Sequence, residues 1–398
     1  MPLRPYLDVL RIPGMPASVL LAALARLPMT ATGITLTLHV VSGLGRGYGA
    51  AGLVGTATTA GTALAAPLLG RTIDRHGLRP VVAACGLVSA LFWVAAPHLP
   101  YPLLLAAALP AGALMLPVSP IARQVVTALV PPAQRRTAFS LDSIMVEAAF
   151  MTGPALGIFV STQVSSTAAL TGIGVAFGLC SAALYAVNPP IRTADELGMR
   201  DPVRPPIRSW LDSRMLATLL VAMGALFVLV GMELAALAVL RTSGEVSWTG
   251  VVIAVMCLAS LLGGVVHGTA SRSASQLTLM VALAVLTIPA AVVAGPWWLL
   301  ALVLVPANLV CAPTLAATTE AVSHLAPPVV RGEAMGLQDS ATRLGLALGS
   351  PVVGFVMDHA SPGWGFVAAG LGGLVFAAAG WALRRRPVRH RVAVAEAG

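Results

Sequence analysis

Residues 70–80 read Gly70-Arg71-Thr72-Ile73-Asp74-Arg75-His76-Gly77-Leu78-Arg79-Pro80, a short charged segment between two long apolar runs. Such a segment is typical of a chain that leaves lipid, turns in water and enters lipid again. Gly70 and Gly77 permit a tight backbone bend, and Asp74 is the one acid among three arginines. The segment therefore predicts a turn that joins two membrane-spanning helices.

The composition of the whole chain agrees with a polytopic membrane protein. The 398 residues are 57% hydrophobic and 10% charged, with a mean hydropathy of +0.88, whereas soluble domains are about 25% charged. All four cysteines lie inside apolar runs without C-x-x-C spacing, which predicts neither a disulfide framework nor a zinc site. We expect no metal and no cofactor.

Twelve apolar runs are long enough to cross a bilayer, for which about 20 residues are needed. The bilayer core offers no hydrogen-bond partners to the backbone, so every backbone N–H and C=O group must be paired within the segment. Each run is therefore predicted to be a helix. We number them as helices 1 to 12: 16–41, 49–71, 80–98, 101–123, 137–161, 166–187, 214–240, 248–270, 276–295, 297–322, 332–357 and 363–383.

The arginines predict the orientation. If the N terminus is cytoplasmic, 20 of the 24 basic residues fall in loops on that side, and only Arg46 and Arg241 fall on the other. The positive-inside rule therefore favours a cell-membrane protein with both termini in the cytoplasm. The net charge of +9 is spread over these loops, so it does not indicate a nucleic-acid-binding module.

The pattern Gly-x-x-x-Asp-Arg-x-Gly-x-Arg, carried by Gly70, Asp74, Arg75, Gly77 and Arg79, resembles the loop between helices 2 and 3 of the major facilitator superfamily. Where that family usually ends the loop with a further basic residue, this chain has Pro80. The resemblance implies an all-α membrane protein with 12 transmembrane helices in two pseudo-symmetric six-helix bundles. It also implies that the loop helps to hold the two halves together on the cytoplasmic side.

An internal repeat supports two halves. At an offset of 196–198 residues, Leu109-Pro110-Ala111 corresponds to Val305-Pro306-Ala307, Pro131-Pro132 to Pro327-Pro328, and Gly70 to Gly268, whereas Asp74 falls on Arg272. Parallel repeats of this kind are typical of rocking transporters. We expect an N-terminal bundle (1–187), a polar linker (188–213), a C-terminal bundle (214–383) and a basic tail (384–398).

Four charged residues lie inside predicted helices, where an ionised side chain is costly unless paired or hydrated. They are Arg26 in helix 1, Glu147 in helix 5, Glu233 in helix 7 and Arg343 in helix 11. Counted along the helices, Arg26, Glu147 and Arg343 share one depth. We take these four as candidates for transport and proton coupling, and expect Asp142 and Asp339 to face a cytoplasmic vestibule.

Two partnerships are predicted for these charges. Arg26 and Glu147 are expected to form a buried pair, either a fixed one or one in which Glu147 exchanges Arg26 for a proton, since a buried arginine stays charged. Glu233, which has no base at its depth, is expected to titrate or to contact substrate. For Asp74 we expect either Arg123 or the N terminus of helix 11 as partner.

Helix 5 carries Gly153-Pro154-Ala155-Leu156-Gly157. Glycines four residues apart permit close helix packing, and the block resembles a segment that marks drug–proton antiporters of the same superfamily. The family's additional glycines correspond here to Ala149 and Ile158, so the resemblance is partial.

The leading prediction is a monomeric secondary transporter that couples protons to the export of small lipophilic compounds. Its partners would be a small-molecule substrate, protons and the bilayer. Helices 1, 4, 7 and 10 offer few hydrogen-bonding groups, which favours an apolar substrate. Uptake of a sugar or metabolite, a membrane-embedded enzyme and a non-transporting sensor are the alternatives. The chain contains no H-E-x-x-H, G-x-S-x-G or P-loop pattern, so enzymatic chemistry and ATP-driven pumping are not expected.

Overall fold

The structure is a computed structural model that describes residues 4–193, 196, 204–270, 274–292 and 296–385, apart from the side chain of Tyr48. These residues form helices joined by short turns, and no strand occurs among them. The predicted tail after residue 385 and Arg272 lie outside the described residues. The architecture is the expected all-α membrane protein.

The twelve predicted helices are present with modest changes in their ends. A short helix, Arg4–Leu10, precedes them, and we call it the N-terminal helix. The twelve are Met15–Leu38, Tyr48–His76, Leu78–Ala95, Tyr101–Ala113 with Val118–Leu129, Arg135–Gln163, Ser166–Val187, Ser213–Thr242, Thr249–Thr269, Gln276–Thr287, Trp297–Leu309 with Cys311–Leu325, Arg331–His359 and Trp364–Arg384.

Among the described residues, 11 helices are long and apolar enough to span a membrane. Helix 9 is the shorter twelfth, an apolar stretch over Gln276–Val292. Helices 4 and 10 are each interrupted, after Ala113 and after Leu309. The interruptions follow the prolines matched in the repeat, Pro110 and Pro306, as expected where a ring removes a helical hydrogen bond.

The helices pack as two similar bundles. In the first half, helix 1 packs on helices 5 and 6, helix 2 on helix 4, and helix 3 on helix 6. The second half repeats this with helix 7 on helices 11 and 12, helix 8 on helix 10, and helix 9 on helix 12. Each half has its own apolar core, around Leu104 and Phe177 in one and around Met232 and Phe366 in the other. The repeat seen in the sequence is therefore a repeat of packing.

Two seams join the halves, helix 2 against helix 11 and helix 5 against helix 8. The pseudo-symmetry that relates the two halves also relates the two seams, because helix 2 corresponds to helix 8 and helix 5 corresponds to helix 11. We call the end of the bundle that holds Gly77 the arginine-rich end, and the other the opposite end.

The segment that decides the fold is more helical than predicted. Helix 2 continues to His76 and helix 3 begins at Leu78, so the turn consists of Gly77 alone, with φ of +81°. An L side chain rarely adopts this backbone conformation. The prediction that Gly70 bends the chain was wrong, because Gly70 lies inside helix 2. There it permits contact with helix 11, since a Cβ at this position would lie 2.1 Å from the Gly332 carbonyl oxygen.

Candidate functional site

The carboxylate of Asp74 caps helix 11 across the first seam. Its Oδ1 accepts a hydrogen bond from the Gly332 N–H and its Oδ2 from the Glu333 N–H, each at 2.9 Å. Both N–H groups belong to the first turn of helix 11, where the helix dipole favours an anion. Of the two predicted partners, the helix N terminus is therefore the one observed. Arg123 contacts a different acid.

The arginines of the same segment lie outside this contact. Arg79 donates to the Tyr185 carbonyl at 3.2 Å and lies over the Tyr185 ring, while Arg75 is exposed. Linker residue Arg192 donates to the Asp74 carbonyl. Within the segment, Asp74 therefore contacts the other half of the protein, whereas Arg79 contacts its own half.

The second seam has no counterpart of Asp74 among the described residues, and polar groups from helix 5 and the N-terminal helix take its place. Thr137 donates to the Gly268 carbonyl at 2.7 Å, and Arg136 donates to the Ala270 carbonyl. Tyr6 donates to the Gly264 and Val265 carbonyls at 2.9 and 3.1 Å. Burial raises the pKa of Tyr6 to about 12, because the charged phenolate is poorly solvated there. The hydroxyl therefore stays a donor at physiological pH.

The linker adds two ion pairs at the start of helix 11. Arg331 donates to Glu196 at 3.0 Å and Arg204 to Glu333 at 2.6 Å. These pairs were not predicted from the sequence, because loop residues carry no periodicity that fixes where they point.

A buried cluster of five charges lies deeper, between helices 1, 4, 5 and 11. Arg26, only 1% exposed, donates to Asp142 at 2.6 Å. Arg123 lies 4.0 Å from the other oxygen of Asp142 and also interacts electrostatically with Asp339. Arg343 donates to Asp339 at 2.8 Å. We call these five residues the central cluster.

The predicted pair between Arg26 and Glu147 is wrong. Asp142, besides its contact with Arg26, lines a cavity near the arginine-rich end. Arg26 reaches Asp142, which lies five residues closer to the start of helix 5 than Glu147. A long arginine side chain can cross more than a helical turn, so equal depth along the helices did not identify its partner. The i, i+4 spacing of Asp339 and Arg343, by contrast, predicts contact on one helix face.

Glu147 instead faces the second half. Its Oε1 accepts a hydrogen bond from Ser260 of helix 8 at 2.8 Å, and the Cys257 thiol lies close to the same carboxylate. Glu233 of helix 7 lies near enough to interact electrostatically with Glu147. In the described part of the chain neither carboxylate has a salt-bridge partner. The structure thus brings together the two predicted acids, Glu147 and Glu233, and separates them from Arg26.

The helix 5 glycines pack against helix 1. A Cβ at Gly153 would lie 2.0 Å from Thr30 Oγ1, and one at Gly157 would lie 2.5 Å from Thr35 Oγ1. Pro154 lies inside the helix between them. The block therefore sets the close approach of helices 1 and 5, which carry Arg26 and Asp142.

A partly open cavity lies between helices 1 to 4 and helix 11, on the side of the central cluster that faces the opposite end. It is lined mainly by threonines and apolar side chains, with Arg343 as its charged residue: Met29, Thr32, Gly33, Leu36, Gly55, Thr58, Thr59, Thr62, Trp93, Met115 and Arg343. Three of the four threonines come from helix 2, which the sequence analysis did not count as lining. The cavity wall is therefore more polar than predicted.

The comparisons with known proteins agree with this arrangement. The family model described as Major Facilitator Superfamily matches residues 18–287 and 242–398. This chain belongs to the Major Facilitator Superfamily. Its fold is that of a secondary transporter, and the family points to transport of a small molecule within the membrane and not to an enzyme. Comparison with curated proteins gives no match.

Solved structures of the superfamily share the fold at low sequence identity. The human organic anion transporter MFSD10 (TETRAN) is similar with a TM-score of 0.72 and 18% identity, over 92% of this chain and 98% of that one. The proton:xylose symporter XylE bound to 6-bromo-6-deoxy-D-glucose has a TM-score of 0.71 and 14% identity, over 92% and 95%. A bacterial homologue of the iron transporter ferroportin in its outward-facing state has a TM-score of 0.72 and 13% identity, over 93% and 98%.

Proposed function

We propose that this chain is a monomeric, proton-coupled transporter that exports small amphipathic compounds across the cell membrane by alternating access. One observation carries the proposal. Among the described residues, every hydrogen bond between the halves lies within 13 residues of the arginine-rich end, or about 20 Å along a helix. The cavity extends from Arg343, which lies 12 residues into helix 11, toward the opposite end.

The orientation follows from the arginines. The positive-inside rule places the arginine-rich end, with both termini, in the cytoplasm. The bundle is then closed on the cytoplasmic side and open outward. Transport requires the seams at Asp74 and Tyr6 to part while the opposite end closes, as in the rocking of repeat-related halves.

Glu147 and Glu233 are the proposed proton carriers. A carboxylate inside the membrane without a basic partner is costly when ionised, and neither residue has such a partner in the described part of the chain. Glu147 contacts Ser260 of the other half at 2.8 Å. Its protonation state can therefore bias the seam between helices 5 and 8, which is what coupling requires. The earlier hypothesis of exchange with Arg26 is replaced by this contact.

Export is favoured over uptake by the Gly153-Pro154-Gly157 block, through its resemblance to drug–proton antiporters. Uptake of a metabolite rich in hydroxyl groups is the second candidate, because Thr32, Thr58, Thr59 and Thr62 line the cavity.

The test is transport in proteoliposomes with an imposed pH gradient, using a panel of amphipathic anions, neutral drugs, lipophilic cations and sugars. We expect proton-driven movement of amphipathic compounds, and its loss in Glu147→Gln together with Glu233→Gln. Asp8→Asn is the matched control, since Asp8 is an exposed acid outside the spanning helices. Proton-driven transport that survives both glutamate substitutions refutes the coupling, and movement of sugars alone supports the second candidate.

A further inference from the structure

The guanidinium of Arg343 combines burial, cavity access and spare donors. Its side chain is 21% exposed and its Nε donates to Asp339. An arginine has five N–H donors, and this single bond is its only hydrogen bond among the described residues. The other donors, on the two terminal nitrogens, belong to a side chain that lines the cavity.

The central cluster carries more positive charge than negative. It contains three arginines, Arg26, Arg123 and Arg343, and two aspartates, Asp142 and Asp339. The surplus is not relieved locally, because Nε and Nη1 of Arg123 are buried without a hydrogen-bond partner. An uncompensated cation in a low-dielectric site strongly favours an added anion.

The other described residues of the cavity wall carry no negative charge that would compete with a bound anion for Arg343. Of its residues, Met29, Leu36, Trp93 and Met115 are apolar or aromatic. Thr32, Thr58 and Thr62 give their hydroxyl hydrogens to backbone carbonyls of Met29, Val54 and Gly112. Their remaining lone pairs are free to accept a hydrogen bond from an O–H or N–H group. None of the described residues that line this cavity is a carboxylate. Asp339 lines the adjoining cavity, and it is paired with Arg343.

We propose that the transported compound carries a carboxylate or a similar planar acid group, which binds the terminal nitrogens of Arg343, while its apolar part packs on Met29, Leu36 and Trp93. This inference rests on the proposed transport function and specifies its substrate class. Arg343 belongs to the second half and the other described lining residues belong to the first, so a bound acid bridges the two halves. A lipophilic cation of the same size is repelled by the same guanidinium.

The experiment uses three compounds of matched size: 4-phenylbutyrate, its N-methylamide, and phenylpropyltrimethylammonium. Their binding to the purified full chain in detergent is measured by titration calorimetry for the wild type, Arg343→Lys, and the double variant Arg343→Gln with Asp339→Asn. The double variant removes both partners of the pair, so that neither is left buried without the other. Arg241→Gln is the matched control, because Arg241 is an exposed arginine at the end of helix 7.

We expect the wild type and the Arg241 control to bind the carboxylate at least about tenfold more tightly than the amide or the ammonium compound, as a charge-assisted hydrogen bond provides. The preference should shrink to less than about twofold in the double variant and persist in part in Arg343→Lys, which keeps the charge but not the planar fork. Equal binding of all three compounds by the wild type, no binding of the carboxylate, or an undiminished preference in the double variant overturns the assignment. If proteoliposomes move neutral or cationic compounds but no acids, this inference fails while the transport function stands; if they move no solute of any charge, the transport function itself fails.

Discussion

The contact between Asp74 and helix 11 gives the most quantitative prediction. In Asp74→Asn the side-chain oxygen can still accept one N–H, but the amide nitrogen faces a second N–H donor, and the negative charge at the helix terminus is lost. Two charge-assisted hydrogen bonds at 2.9 Å are each worth about 1.5–3 kcal/mol. Allowing for partial retention of one bond, we expect the closed state of the arginine-rich end to lose about 2–4 kcal/mol, or about 30- to 1,000-fold in population.

Labelling of a buried reporter cysteine measures this shift. Ser140 is fully buried in helix 5 beside the seam with helix 8, so Ser140→Cys serves as reporter after the four native cysteines are replaced. A membrane-impermeant maleimide is applied to everted vesicles, in which the cytoplasmic face is outside. We expect slow labelling in the otherwise unchanged chain and labelling at least about tenfold faster with Asp74→Asn.

Arg75→Gln is the matched control for this experiment, because Arg75 is exposed and adjacent to Asp74. It also changes the charge of the segment by one unit. If Asp74→Asn labels no faster than Arg75→Gln, the carboxylate does not hold the seam closed and the reasoning is refuted.

Three further substitutions test neighbouring parts of the account. Gly70→Ala places a Cβ about 2 Å from the Gly332 carbonyl oxygen and should open the arginine-rich end, seen as faster labelling of the same reporter. Gly52→Ala, with no atom near its Cβ, should not, and equal labelling of the two variants would contradict the packing. Arg26→Gln should lower the free energy of unfolding in detergent by about 3–5 kcal/mol, because Asp142 stays buried and loses the arginine that donates to it, keeping only Arg123 at 4.0 Å. Adding Asp142→Asn should recover much of the loss, and additive effects of the two substitutions would argue against a pair. Tyr6→Phe should lower the stability of the closed state by about 1 kcal/mol, seen as faster reporter labelling. The pKa of Tyr6 is raised from 10 to about 12. The stabilisation by its hydroxyl is therefore fully present below pH 10 and is lost as the pH rises through about 12. If the difference in labelling rate between the wild type and the Tyr6→Phe variant changed between about pH 6 and pH 8, that would contradict this prediction.

The sequence predicted most of what depends on local pattern. Apolar run lengths gave the twelve helices, because the bilayer imposes one length scale on all of them. The helix N terminus was one of the two partners predicted for Asp74, since an acid near one helix end and the start of another helix on the same side attract each other irrespective of side-chain detail.

The sequence pattern did not predict the direction in which individual side chains point around each helix. Arg26 contacts Asp142 and not Glu147, although both acids lie on helix 5, because the contact depends on rotation about the helix axis and on the reach of the guanidinium. For the same reason the helix 2 threonines that line the cavity were missed, and Gly70 was interpreted as a bend when its lack of a side chain serves helix packing. These features need the neighbouring helix in place, and no single stretch of sequence contains it.

A reversible cross-link across the first seam tests alternating access most directly. Ser340 Oγ donates to the Ala63 carbonyl at 2.5 Å, so Ala63→Cys with Ser340→Cys, in a chain without native cysteines, sets two thiols on facing helices. Oxidation should join the two halves by a disulfide, so that the two fragments produced by proteolysis in the linker stay together under non-reducing conditions. The cross-link should also abolish solute movement in proteoliposomes, and a reductant should restore it. A fully cross-linked protein that transports at the rate of its reduced form would contradict the account.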